Sequence, residues 1–228
     1  MIGYSDWETR KGDAVATSMG DNQTNPSSSA TADVMSDDMM RANFYGLLAR
    51  VLAKPMDEDT LETMRALAKH DDGTPLGEAI ASFGKLCVRT PRAKAEEEFT
   101  ELFYGVGAGG EISPYASLYL TGLVYDKPLA ELREDMARLG IAAADGTGEP
   151  EDHIASLCEM MHGLLTGALG GDVGPSEAKA FFDKHLAPWA GKLFEDLEGA
   201  QAAALYMPVG TIGRLFMEIE REVYEMAA

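Results

Sequence analysis

Cysteine is nearly absent from this chain: Cys87 and Cys158 are the only two among 228 residues, and no C-x-x-C occurs. That excludes a disulfide framework and a cysteine-based zinc or dithiol site. Both lie in apolar helical stretches, so they read as small buried hydrophobes of a reducing compartment. Positive charge is also scarce, with 19 Lys and Arg against 38 Asp and Glu for a net charge of −19. General nucleic-acid binding needs a cationic footprint and is not expected; an acidic surface instead keeps the chain soluble and attracts cationic partners over a distance. No apolar run approaches the roughly 18 residues of a membrane helix. The start, Met1-Ile2-Gly3-Tyr4-Ser5-Asp6-Trp7, lacks the basic and then apolar regions of a secretory signal. A cytoplasmic protein without stable membrane insertion is expected.

Sustained β-type alternation is missing as well, and what fills the sequence is helical periodicity. Residues 1–37 read as a flexible polar tail, since Asp21 to Ser29 carries almost no large apolar group to offset the entropy of ordering. Residues 38–228 read as one all-α helical bundle. Phe44, Leu47, Leu48 and Val51 mark a helix ended at Lys54-Pro55. Leu61, Met64, Leu67 and Ala68 mark the next, with Asp57 or Asp59 as cap, and Leu76, Ile80, Phe83 and Leu86 a third. Glu96 to Tyr104 follows, with Gly105 expected in the left-handed stop position. Further helices are predicted from Asp126-Lys127-Pro128 to Gly140, from Gly174-Pro175 through His185, from Trp189 to Leu197, and from Val209 to Met226.

The most pointed segment is Glu149-Pro150-Glu151-Asp152-His153. Pro150 suits the first helical position, and Glu151 and Asp152 then fall in a first turn that favours negative charge. Behind them Ile154, Leu157, Cys158, Met161, Leu164 and Leu165 form one apolar stripe. A charged helix mouth on an apolar groove suits a basic, apolar peptide better than it suits a reaction. Adjacent helical residues diverge by about 100°, so Asp152 and His153 do not make a carboxylate–imidazole relay unaided. No G-x-S-x-G nucleophile motif occurs, and His153 with His162 lacks metal-ligand spacing. No catalytic residue, metal or cofactor is assigned. The Gly-rich stretch 105–110 lacks the Lys-Ser/Thr of a phosphate loop and follows a helix, not a strand. A nucleotide-binding or hydrolytic enzyme built on that loop and the Asp152–His153 pair is the alternative reading. Phe99, Leu102 and Phe103 read as core. Pro114 to Tyr119, with two tyrosines in a segment expected to be non-helical, reads as the wall of a recognition site.

Taken together, four segments in order resemble the TorD/DmsD family of chaperones for molybdenum oxidoreductases. These are Glu98-Phe99 through Leu102-Phe103-Tyr104-Gly105; Pro114-Tyr115-Ala116-Ser117-Leu118-Tyr119; Glu149-Pro150-Glu151-Asp152-His153 with Glu159; and Phe182, His185, Leu186 and Trp189. The resemblance covers about Ser36 to the C-terminus, and its tail and Gly-rich loop are longer and richer in glycine than the pattern requires. It implies a single TorD-like helical domain. It also implies a partner: the twin-arginine leader and apoprotein of an exported molybdoenzyme precursor, of reductase or formate dehydrogenase type. Such a chaperone keeps its client ready for insertion of the molybdopterin guanine dinucleotide cofactor and out of premature export. The implied peptide-binding residues are Phe99, Leu102, Phe103, Gly105, Pro114, Tyr115, Ser117, Tyr119, Glu149, Pro150, Glu151, Asp152, His153 and Leu157. Arginines would pair with Asp152, Glu149 or Glu151, and the apolar stretch would lie along Leu102, Phe103, Tyr115 and the Leu157–Leu164 stripe. A monomer with some segment-swapped dimer is expected.

Overall fold

The computed structural model describes residues 26–105, 109–142, 149–169 and 174–226, with side chains from Asp37 onward. Ten α-helices make up the described chain: α1 Pro26–Leu52, α2 Glu58–Arg65, α3 Pro75–Arg89, α4 Arg92–Phe99, α5 Ala116–Thr121, α6 Lys127–Leu139, α7 Ile154–Thr166, α8 Pro175–His185, α9 Ala190–Gly199 and α10 Met207–Met226. Among the described residues the only strand-like pairing is a single antiparallel bridge, Tyr115 with His153. Residues 1–25, most of the segment expected as tail, lie outside the described residues, and the backbone from Pro26 is already helical.

Local chemistry explains most of the boundaries. Asp57 caps α2 by accepting from the Thr60 N–H at 2.9 Å, and Pro75 and Pro128 occupy the first turns of α3 and α6. Gly140 and Gly167 stop α6 and α7 with φ of 72° and 69°, a left-handed conformation that glycine adopts without steric cost. At the end of α4 the chain widens into a π-turn, Thr100–Tyr104, closed by the Gly105 N–H on the Thr100 carbonyl at 2.7 Å. Gly105 has φ 60° and ψ −177°, so the expected left-handed helical stop is replaced by a conformation open essentially to glycine alone. A Cβ there would also run into the Gly109 carbonyl.

One core runs through the bundle. It is centred on α7, whose Ile154, Leu157, Cys158 and Met161 are 0 % exposed. α1 crosses α7 closely at Gly46, where a Cβ would stand 3.3 Å from His162 Nδ1; that nitrogen is 2.8 Å from the Ala42 carbonyl. α1 is fastened to α10 by Arg41, which forks onto Glu220 at 2.6 and 2.9 Å. Cys87 and Cys158 are free and buried, and burial raises both thiols, to about 12 for Cys87.

Candidate functional site

The two most pointed sequence segments meet. Ala116 donates its N–H to the Asp152 carbonyl at 3.0 Å and Ile154 donates to the Pro114 carbonyl at 2.8 Å, which clips Pro114–Ser117 against Asp152–Ile154. The Asp152 carboxylate, 1 % exposed, crosses the clip and accepts from the Ser117 N–H at 2.8 Å and from the Ser117 hydroxyl. In effect Asp152 caps a helix 35 residues away in sequence. Ser117 is itself fully buried.

This geometry corrects two expectations. The helix foreseen from Pro150 starts at Ile154, because the preceding residues are held as a turn by the clip and by the His153 N–H on the Pro150 carbonyl. Asp152 therefore lies outside any helical first turn. Conversely, Ala116–Thr121, expected to be non-helical, is helix α5, because its N-terminal donors are satisfied by an acid from a distant segment.

His153 is the residue at the mouth of α7. Its Nδ1 accepts from the Ala155 N–H at 3.1 Å, so the ring is an N-cap and its other nitrogen carries the proton. The ring is 8 % exposed and meets Tyr115 edge-on at 5.3 Å and 78°. Burial pushes its pKa down to about 4, against the pull of Glu149 and Asp152. Between its ordinary value of 6.5 and about 4 the unfolded chain holds a proton that the folded chain does not, so acidification destabilises the fold. The full stability is present above 6.5 and is lost progressively as the pH falls through 4, by about 3 kcal/mol. Burial also lowers His185, which acts in the same direction. Burial opposes ionisation of Asp135 too, but bonds from Lys184 and His185 outweigh it and hold the acid at about 2, below this window. Denaturant unfolding of His153→Asn, which keeps a cap acceptor without a titrating ring, is expected to show a markedly flatter pH dependence between pH 7 and 4.5.

The remaining expected site residues divide by exposure. Phe99, Leu102 and Leu157 are 1 %, 0 % and 0 % exposed and shape the surface from beneath; Pro114 is buried too. The Leu157–Leu164 stripe is core instead of groove, packed against the other helices. Phe103 is partly buried, set 4.7 Å from Phe99 and 5.9 Å from Tyr206. Tyr119 donates to Asp196 at 3.1 Å and lies 5.3 Å from Trp189, tying α5 to α9. Glu98 accepts from the N–H groups of Ala204 and Tyr206, both at 2.8 Å, and pins the α9–α10 connection. Glu151 is held by Arg133 at 2.7 Å. Pro150 is half-buried in the turn, and Glu149 is exposed and accepts from the Tyr115 hydroxyl.

Several surface features escape sequence reasoning. Leu120 at the end of α5 and Leu123, Val124 and Tyr125 between α5 and α6 are 41 %, 64 %, 50 % and 68 % exposed, and Tyr104 is 52 % exposed. Tyr125 has a φ of 59°, a left-handed conformation costing an L-residue roughly 1–2 kcal/mol. Beside Gly105 a groove of about 760 Å³ runs along α4 and the π-turn, bordered by Glu96, Glu97 and Glu101. In sequence these residues look like ordinary helix surface and ordinary core; only the fold shows the apolar and aromatic ones exposed. No group of three or more potential metal ligands occurs among the described residues, and residues 106–108 of the Gly-rich stretch lie outside them. Nor is any described helix long and apolar enough to cross a membrane.

Comparison with known proteins agrees with this architecture. The sequence pattern of the family described as nitrate reductase delta subunit matches residues 69–195. The chaperone protein TorD of Vibrio atlanticus is 23 % identical over 201 residues, covering 80 % of this chain and 93 % of that protein. TorD of Vibrio parahaemolyticus is 25 % identical over 199 residues, 79 % of this chain and 92 % of its own. The crystal structure of a putative redox enzyme maturation protein from Archaeoglobus fulgidus superposes with a TM-score of 0.52 at 22 % identity, covering 78 % of this chain and 94 % of that one.

Proposed function

Since this chain belongs to the nitrate reductase delta subunit family, and is a molybdoenzyme maturation chaperone of the TorD kind, not an enzyme, we propose that its exposed tyrosine and carboxylate face binds the twin-arginine leader of an exported precursor. The observation that carries this reading is the exposed apolar tip, Leu123 to Tyr125, at the far end of the short helix that starts after Tyr115, whose hydroxyl is donated to Glu149. A leader offers two arginines followed by an apolar stretch, and this face offers acids and apolar side chains side by side. The net charge of −19 steers such a peptide from a distance. The cations run along the Glu96–Glu101 groove toward Glu149, and the apolar stretch covers Leu123 and Val124 in a helix-on-surface mode.

Binding works in the cytoplasm on a monomer, holds the apoprotein for insertion of the molybdopterin guanine dinucleotide cofactor, and delays export until that is done. The hydrolase alternative loses its chemistry at the clip. Asp152 is turned to Ser117, and the His153 nitrogen that would act as base is taken by the Ala155 N–H.

Calorimetric titration of the full chain with a synthetic peptide tests the proposal. The peptide carries Arg-Arg followed by an apolar stretch of about 12 residues. Ordering a disordered leader consumes roughly 2–5 kcal/mol of the contact energy, so a Kd of about 1 μM is expected. Affinity should fall steeply with added salt and at least about tenfold when both arginines become alanine, a loss of one charge-assisted pair. Absence of binding, or equal binding of the alanine peptide, would overturn the reading.

A further inference from the structure

We propose that the crevice beneath α5 is a hydration site: an ordered water sits in it, donates to the free oxygen of Asp152, and joins the clip to α6 and α8.

The crevice encloses about 50 Å³ where α5, α6, α7 and α8 meet the clip. Ala116, Leu132 and Leu157 give it apolar walls, and Asp152, Glu131, Lys184 and His185 give it polar ones. One of these polar groups still needs a partner. Asp152 is 1 % exposed, and its Oδ2 accepts from the Ser117 N–H and hydroxyl. Its Oδ1 is buried and has no hydrogen-bond partner among the described residues. An anionic oxygen inside a protein is costly without a donor, and buried polar atoms with none are rare.

The walls do not supply that donor. Lys184 Nζ lies 2.6 Å from Asp135 Oδ2, and His185 Nε2 lies 2.9 Å from the same oxygen. A carboxylate only accepts, so this histidine nitrogen spends its proton on Asp135. Glu131 is itself an acceptor, drawn to Lys127 at 3.1 Å. The donor for Oδ1 therefore comes from solvent, and size and charge select it. About 10–15 Å³ is enough to seat one water, and the crevice exceeds that. A metal cation asks for about six oxygen ligands. Here the side chains offer two carboxylates, one already paired, beside an ammonium that repels a cation. Water donates and accepts at once, which matches Oδ1 and the mixed polar wall together. It links the clip to α6 and α8 from inside, beside the surface pair of Glu151 with Arg133. The site needs no client and stands or falls apart from leader binding.

Three measurements on the full chain and one variant test the site. A crystal structure should show a water about 2.5–3.0 Å from Asp152 Oδ1. In methyl-labelled protein, Ala116, Leu132 and Leu157 should give cross-peaks to water whose sign marks a bound molecule and not passing solvent. The melting temperature should be the same in sodium, potassium and ammonium chloride of equal ionic strength. Ala116→Val adds two methyl groups to one wall. It should weaken the water cross-peaks and lower the melting temperature by about 3–8 °C, as Oδ1 loses its donor. A valine variant that melts above the parent would mean that a dry cavity had been filled, and would overturn the site. So would methyl groups silent to water in the folded parent, or Lys184 turned onto Oδ1 in the crystal. A melting temperature raised by potassium or ammonium alone would overturn it too, by making the occupant a cation.

Discussion

Replacing Glu220 by alanine should destabilise the fold by about 3–5 kcal/mol, the cost of stripping one partner from a buried ion pair. Glu220 is 0 % exposed and accepts from Nε and one terminal nitrogen of Arg41, with the Tyr45 hydroxyl as a third donor at 2.9 Å. Arg41 also lies over the Tyr224 ring at 4.6 Å. Its pKa is raised despite burial, because Glu220 accepts its bonds and its charge. The substitution leaves a cation whose one remaining anionic partner among the described residues is the half-exposed Asp38 and a buried phenol without an acceptor, two penalties that relaxation cannot remove together. For a chain of this size the midpoint of thermal unfolding should drop by roughly 10 °C or more. The paired change Arg41→Leu with Glu220→Met removes both charges at once and should cost far less. Equal loss in the single and paired variants would mean that the helix contact, not the ion pair, carries the stability.

That ion pair also shows where sequence reading ends. Helix α10 was legible from Val209, Ile212 and Phe216, which are 1 % exposed. The partner of Glu220 lies 179 residues away, and no local pattern announces it. The same holds for the site. Asp57, Gly140 and Gly167 act within their own helices, so caps and stops could be read directly. Helix α5 could not, because its cap is supplied by Asp152 from another segment. The start of α7 was placed too early for the same reason: the clip that holds Pro150 to Asp152 out of the helix is made by Pro114 and Ala116. Apolar periodicity correctly found the stripe from Ile154 to Leu164, yet periodicity does not say whether a stripe meets the core or a ligand. Here it meets the core. The exposed tip, Leu123 to Tyr125, carries core-type residues in a connection, and only the fold reveals that they stay exposed among the described residues.

The second large effect concerns Asp152, the acid that sequence singles out as a partner for arginine. Its burial and its two bonds to Ser117 make it a brace for the proposed binding surface, not a contact. Asp152→Ala orphans the Ser117 N–H and hydroxyl inside the protein and frees the first turn of α5, for an expected loss of about 3 kcal/mol. Asp152→Asn is the discriminating variant. Its amide oxygen can still accept from Ser117. Its NH2 takes the place of Oδ1, which has no hydrogen-bond partner among the described residues, and Asp152 lines a cavity of about 50 Å³. The asparagine variant should therefore lose only about 1 kcal/mol, the difference between a charged and a neutral acceptor. Measured well below the melting temperature, its affinity for the Arg-Arg peptide should remain within about twofold of the parent, since a brace needs the bond and not the charge. An ion pair between Asp152 and the leader makes the opposite demand: asparagine would keep the fold and lose the peptide. A tenfold loss of affinity in Asp152→Asn with unchanged stability would move the arginine contact from Glu149 back to Asp152.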